Sequence, residues 1–274
     1  MRNKNGKDSI ISIKDKEYKL FGVSIWKIFS YFIIYSILGY IIETIFGIIT
    51  MGEWQSRQSF LYGPFLGIYG IGAVFILVFS KYFNKNNITL FLGGYIIGTL
   101  TEYIFSFLIE VILETDWWDY SGKILNINGR VCLLYSIFWG ILTLVLVKII
   151  NPFIDKICNK IKEKISKKTL KIIVSVLIIF LFIDCILTIY AQDMFITRMV
   201  VEKNIPVYNK EAVNEKYIRV KNNKNLDDFI NNVWGNEKMI KTFPNIKIKD
   251  KDFNVIYLNS LLPEIKPYYI KVFE

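Results

Sequence analysis

The sequence predicts an all-α, polytopic membrane protein with five transmembrane helices, a basic cytoplasmic amphipathic helix and a small C-terminal extramembrane region. Three observations predict it. Of the 274 residues, 53% are hydrophobic, too many for an ordinary water-soluble domain, yet 21% are charged. The charge is segregated: residues 1–20 and 151–169 each hold six Lys or Arg, and the apolar runs between them hold almost none. Those runs are long enough to cross a hydrocarbon core, which takes about 20 residues of helix.

Residues 1–24 are polar and carry both signs of charge, as a cytoplasmic segment does. The apolar run that follows is too long for a signal-peptide core and lacks a small-residue cleavage site, so it is expected to stay as an anchor. The spans fall at about 25–50, 63–80, 88–113, 131–150 and 170–191, giving a membrane domain over 25–191. The second is the shortest. Pro64 suits the first turn of its helix, where the missing N–H costs nothing. Gly63, Gly67, Gly70 and Gly72, and Gly94 with Gly98, allow helix backbones to approach closely.

Between the fourth and fifth spans, Ile154, Ile157, Ile161 and Ile165 recur at helical spacing with lysines between them. That pattern reads as a basic amphipathic helix on the inner membrane surface, or else as a charged linker that only fixes topology. Residues 192–274 change composition and are expected to form an extracytoplasmic region. Within it, Leu226–Trp234 has the pattern of a short amphipathic helix with acidic residues in its first turn, favourable to the helix dipole. Residues 246–249 and 254–258 are β-prone and predict a small hairpin.

The loop charges orient the chain. With the N-terminus in the cytoplasm, segments 1–20, 81–87 and 151–169 hold six, two and six basic residues, and loops 51–62 and 114–130 hold one and two. This asymmetry sets the N-terminus inside, and five spans then place the C-terminal region outside. The formal charge of +10 is explained by basic loops flanking membrane spans, so no nucleic-acid partner is expected. The chain has no histidine and three cysteines, Cys132, Cys158 and Cys185. The first fact excludes His-dependent triads and zincin motifs; the spacing of the second predicts no disulfide, metal site or other cofactor. No Walker A motif is present, so P-loop ATP hydrolysis is not expected from this chain.

Charged groups inside apolar spans are the candidate functional residues, because a carboxylate at membrane depth is costly unless paired, protonated or wet. Glu43, Glu102 and Glu110 are such groups. In the predicted topology all three lie toward the outer ends of their helices, near Arg57, Asp119, Asn128 and Arg130 in the two outer loops. One reading is a solvent-connected pocket for a polar or ionic ligand. The other is a set of interhelical ion pairs that hold the bundle in register, with Glu110 solvated at the interface. Trp117, Trp118 and Tyr120 read as interface anchors or as an aromatic lid. Asp184, alone in the fifth span, reads as a proton site or as an interhelical hydrogen bond.

The chain resembles the CmpB-like ABC-transporter permease family of bacterial membrane proteins. The residues that carry the resemblance are Tyr35-Ser-x-x-Gly39-x-x-x-Glu43, Arg57-x-x-Phe60-Leu-Tyr-Gly-Pro64 with Ile68-Tyr-Gly70, Glu102-Tyr103, Trp117-Trp-Asp-Tyr-Ser121, Asn128-Gly-Arg-Val-Cys132 and Ser136-x-x-Trp139-Gly140. They span roughly residues 28–155. Two departures stand out: Ser56-Arg57-Gln58-Ser59 replaces an Asn-Arg-Gly pattern, and Gly67 stands where proline is frequent. Neither removes an ionisable group.

The resemblance implies a membrane-embedded permease subunit, with a separate ATPase subunit and a homo-oligomer as possible partners besides the bilayer. It implies no substrate. Two other classes stay open: a structural or regulatory membrane protein acting through its outer tail, and an intramembrane enzyme using Glu43 or Glu102 as acid or base. The last has the thinnest basis, because two carboxylates without histidine, metal ligands or an evident nucleophile are a weak catalytic signal.

Overall fold

The computed structural model describes residues 18–113, 115 and 117–273. The basic N-terminal segment expected in the cytoplasm falls, over residues 1–17, outside them. The fold is mostly helical. A small hairpin of β1 (Lys19–Leu20) and β2 (Val23–Ser24) leads into α1 (Ile25–Met51), which ends where Gly52 takes a left-handed conformation. Strand β3 (Glu53–Gln55) and a folded loop follow, then α2 (Gly67–Phe83) and α3 (Asn87–Leu113). Next come α4 (Leu133–Val145), a π-helical turn (Leu146–Ile150), α5 (Asn151–Lys164) and α6 (Lys167–Glu202).

Among the described residues, four stretches are long and apolar enough to cross a membrane: Ile25–Met51, Asn87–Ile112, Leu133–Lys164 and Lys167–Glu202. The fifth apolar helix, α2, has only 17 residues, or about 25 Å at 1.5 Å per residue. It was expected to begin at Gly63 with Pro64 in its first turn. Instead it begins at Gly67. Gly63 sits at φ +83°, a left-handed conformation that ends any helical course there, so Pro64 belongs to the preceding turn. Ser59 Oγ then accepts the N–H of Gly67 at 3.0 Å, supplying the cap that α2 needs. At the other end of the membrane domain, α6 runs on to Glu202, well past the expected stop at Ala191.

The helices α1 to α4 pack in sequence as antiparallel neighbours, with α6 against α1 and α3. They bury small polar residues along with apolar ones and expose large apolar side chains. Ser36, Thr101, Ser106, Ser136 and Thr143 are buried, whereas Ile45, Ile104, Val176 and Phe182 are exposed. Lipid is as apolar as leucine, so nothing drives those side chains inward.

The segment read as a basic amphipathic helix is α5, and it continues α4 through the π-helical turn. Its first turns are fastened to α1: Tyr35 Oη donates to Asn151 at 3.0 Å, Tyr31 Oη to Asp155 at 3.0 Å, and Lys27 pairs with Asp155 at 3.2 Å. These contacts lie at the end of the bundle away from the long loops.

The C-terminal region packs onto the end of α6. It comprises α7 (Lys210–Asn222), α8 (Lys224–Val233), α9 (Asn236–Thr242), a hairpin of β4 (Lys247–Lys249) and β5 (Val255–Tyr257), a 3-10 turn and β6 (Tyr268–Lys271). Both the short helix and the hairpin expected there are present. Phe195 and Met199 of α6, Met239, Ile240 and Leu258 form its core, and Leu61 of the loop after α1 is buried among them. Strand β6 pairs antiparallel with β3, and Thr115 Oγ1 donates to the carbonyl of Lys247. The region is thus stitched to both long loops of the membrane domain.

Candidate functional site

Where α1 to α4 meet the two long loops, they line a half-open cavity of about 420 Å³. Helix register places Glu43, Tyr69, Glu102 and Trp139, and the loops bring Arg57 and Tyr120. On α3, Gly98 and Glu102 are four residues apart and share a face. Trp139 of α4 lies against that face: a Cβ at Gly98 would come within 2.3 Å of Trp139 Cγ, and one at Gly72 of α2 within 2.8 Å of the far edge of the indole. Glycine at both positions therefore makes the slot that holds the indole. Seated there, Trp139 donates its N–H to Glu102 Oε2 at 3.2 Å.

Glu102 is buried, 6% exposed, and its other oxygen accepts from Tyr120 Oη at 3.0 Å. Burial, then the charge of Glu102 beside it, pushes the Tyr120 phenol far above its usual pKa, so Tyr120 serves as a donor at any physiological pH. Glu43 of α1 accepts a 2.6 Å hydrogen bond from Tyr69 Oη of α2. Aromatic rings join the two carboxylates. Tyr69 and Trp139 lie 5.7 Å apart, and Tyr120 stacks on Tyr135 at 4.5 Å. Arg57 enters from the loop after α1 and lies across Gly47, where a Cβ would be 2.7 Å from its Nη2. Residues 242–246 of the C-terminal region complete the lining.

The sequence-predicted residues fall into two groups, with Asp119 apart from both. Glu43, Arg57 and Glu102 line the cavity. Glu110, Asn128 and Arg130 form a second assembly beside it. Arg130 pairs with Glu110, which Lys249 of β4 also approaches at 3.5 Å. The Arg130 guanidinium lies over the rings of Tyr103 and Phe107, and Asn128 donates to Tyr103 Oη at 2.9 Å. Asp119 is exposed and turned to Ser121, whose hydroxyl and N–H hold its carboxyl below the usual range. Trp118 links the two groups: it lines the cavity and donates to the Arg130 carbonyl at 2.8 Å.

Among the described residues, no ion pair joins an arginine to Glu43 or Glu102. The donors are Tyr69, Tyr120 and Trp139. A neutral phenol or indole satisfies a carboxylate lone pair without burying a second charge, which is the less costly arrangement in an apolar site. Tyr69 and Trp139 were visible only as members of Ile68-Tyr69-Gly70 and Trp139-Gly140. The adjoining glycines are the physical trace of their close packing. Asp184 stands apart from the cavity. It accepts the Tyr62 N–H at 3.2 Å and the Thr188 hydroxyl at 3.3 Å, while Thr188 accepts the Leu61 N–H at 2.7 Å. It is a hydrogen-bonding bracket between α6 and the loop after α1.

A family model described as "Putative ABC-transporter type IV" matches residues 30–189. The match takes in α2 to α5 whole, most of α1 and α6, and every polar residue that these helices contribute to the cavity. Nothing among curated proteins or solved structures matches the chain.

Proposed function

The chain belongs to the ABC-transporter type IV family, and on that premise we propose that it is a permease subunit whose cavity binds solute at the outer face of the membrane. It is a multi-pass membrane protein. The observation that carries the proposal is the convergence of Glu43, Glu102 and Arg57 on one cavity of a size suited to small molecules. Ionisable groups at this depth, aimed into a cavity and not at lipid, mark a substrate path by their cost alone.

The outer placement rests on the loop charges and on a structural consequence of span number. The region after α6 pairs with β3, directly after α1, so α1 and α6 end on the same side. An odd number of crossings requires this, and it counts α2 as a short fifth span. The C-terminal region would then lie outside, where it contributes to the cavity wall. Energy would come from a separate ATPase subunit.

Affinity purification in native lipid from the cells that make the protein tests this assignment. The expected result is an ATPase that copurifies and that drives solute movement when the pair is reconstituted. A chain that purifies without an ATPase and moves nothing when ATP is supplied with total cell ATPases would contradict it.

A further inference from the structure

The cavity holds one cation whose donors find no oxygen acceptor among the described residues. The Nε of Arg57 is buried and has no hydrogen-bond partner among the described residues, and its Nη2 reaches only the sulfur of Met51, at 3.0 Å. A guanidinium seeks planar, two-point contact with an oxyanion. Nothing in the cavity wall supplies one, and Glu43 is committed through Oε1 to Tyr69.

We infer that the cavity takes a short zwitterion with an apolar body, of the α-amino-acid type. This rests on the binding-cavity reading above and specifies its ligand. Arg57 lies over Gly47, and Glu43 is one turn earlier on the same helix face, its backbone about 6 Å along the axis from that of Gly47. Both charges thus border one short stretch of the cavity wall, which suits a molecule whose opposite charges are one or two carbons apart. Its carboxylate meets Arg57 nearer the loops, and its ammonium meets the second oxygen of Glu43 deeper in. The rings of Tyr69 and Trp139 face the same space, and aromatic faces favour both a cation and an apolar side chain. The alternatives are poorer matches. A simple amine would leave the Arg57 donors unfilled. A simple carboxylate would leave the second oxygen of Glu43 without a donor.

L-Leucine, isoamylamine and 4-methylpentanoate share one apolar body and differ in which charge they keep. Binding of each to the full chain in lipid nanodiscs, measured by calorimetry, tests the proposal. Leucine should bind at least tenfold more tightly than either relative. Arg57→Gln should remove that preference over isoamylamine, and Glu43→Gln the preference over 4-methylpentanoate, with both variants folded.

Gly47→Ala provides a control for position. The atoms nearest the added methyl all belong to the guanidinium end of Arg57, and alanine is the better helix residue. Its thermal midpoint should therefore match or exceed that of the unaltered protein, while leucine affinity falls at least fivefold. Isoamylamine or 4-methylpentanoate binding as tightly as leucine would overturn the zwitterion assignment, as would failure of all three to bind. If the ATPase still copurifies and drives transport of another solute, only the ligand class falls. If it does not, the permease reading falls with it.

Discussion

Glu102→Gln should leave the protein folded and abolish solute binding, whereas Glu102→Leu should also destabilise it by about 1–3 kcal/mol, the cost of a buried polar group left unpaired. Glutamine keeps an oxygen for the Trp139 N–H, and its amide can donate to the Tyr120 oxygen, so both aromatic partners retain a contact. What is lost is the ionisable carboxyl in the cavity wall. Leucine keeps the volume but leaves the Trp139 indole and the Tyr120 hydroxyl without their acceptor. Thermal unfolding in detergent and ligand binding, measured on the same samples, separate the two effects. Arg130→Gln added to Glu102→Gln should not restore anything, because Arg130 is engaged with Glu110 and with the faces of Tyr103 and Phe107. Rescue by that double variant would show that Arg130 and Glu102 interact, contrary to the geometry.

Gly98→Ala should be among the most damaging methyls in the membrane domain, with those at Gly39, Gly70 and Gly94. The new carbon would lie 2.3 Å from Trp139 Cγ and 2.4 Å from Trp139 Cβ, atoms too near the α4 backbone to rotate away. Either α3 and α4 separate or the indole leaves its slot. Overpacking of this kind costs about 1–3 kcal/mol or more, against which the better helix propensity of alanine returns about 1 kcal/mol. The same substitution at Gly122, where a Cβ would meet nothing within 4 Å, should be close to neutral. A lowered thermal midpoint together with lost solute binding is expected for Gly98→Ala, because displacing Trp139 removes a donor from Glu102.

The membrane helices were legible because apolar length and loop charge report directly on the bilayer. α1, α3 and α6 start within a few residues of where the apolar runs begin. α2 was misplaced by four residues because Gly63-Pro64 is compatible with a helix start as well as with a turn. What decided for the turn is tertiary: the left-handed Gly63, the cap from Ser59, and the Leu66 N–H that donates to Ser36 of α1 at 2.9 Å.

The candidate site was half legible. The cost of burying charge singled out Glu43 and Glu102, and the loops gave Arg57. Charge complementarity then suggested arginine partners, whereas the structure satisfies both carboxylates with Tyr69, Tyr120 and Trp139. Aromatic residues are so frequent in this chain, at 16%, that no single one announces a polar role. Only packing shows which hydroxyl or indole meets an acid. The contribution of residues 242–246 to the cavity was not legible at all, because it depends on strand pairing across more than 200 residues, between β3 and β6.

Thiol labelling in intact cells tests the outward-facing cavity most directly. In a chain whose Cys132, Cys158 and Cys185 are replaced by serine, Thr50→Cys places a thiol at the exposed lining of the cavity. Lys85→Cys places one in the turn at the opposite end of the bundle. A membrane-impermeant maleimide should modify position 50 in intact cells, and position 85 only after the membrane is opened. Modification of position 85 in intact cells, with position 50 protected until permeabilisation, would place the cavity in the cytoplasm and contradict the account.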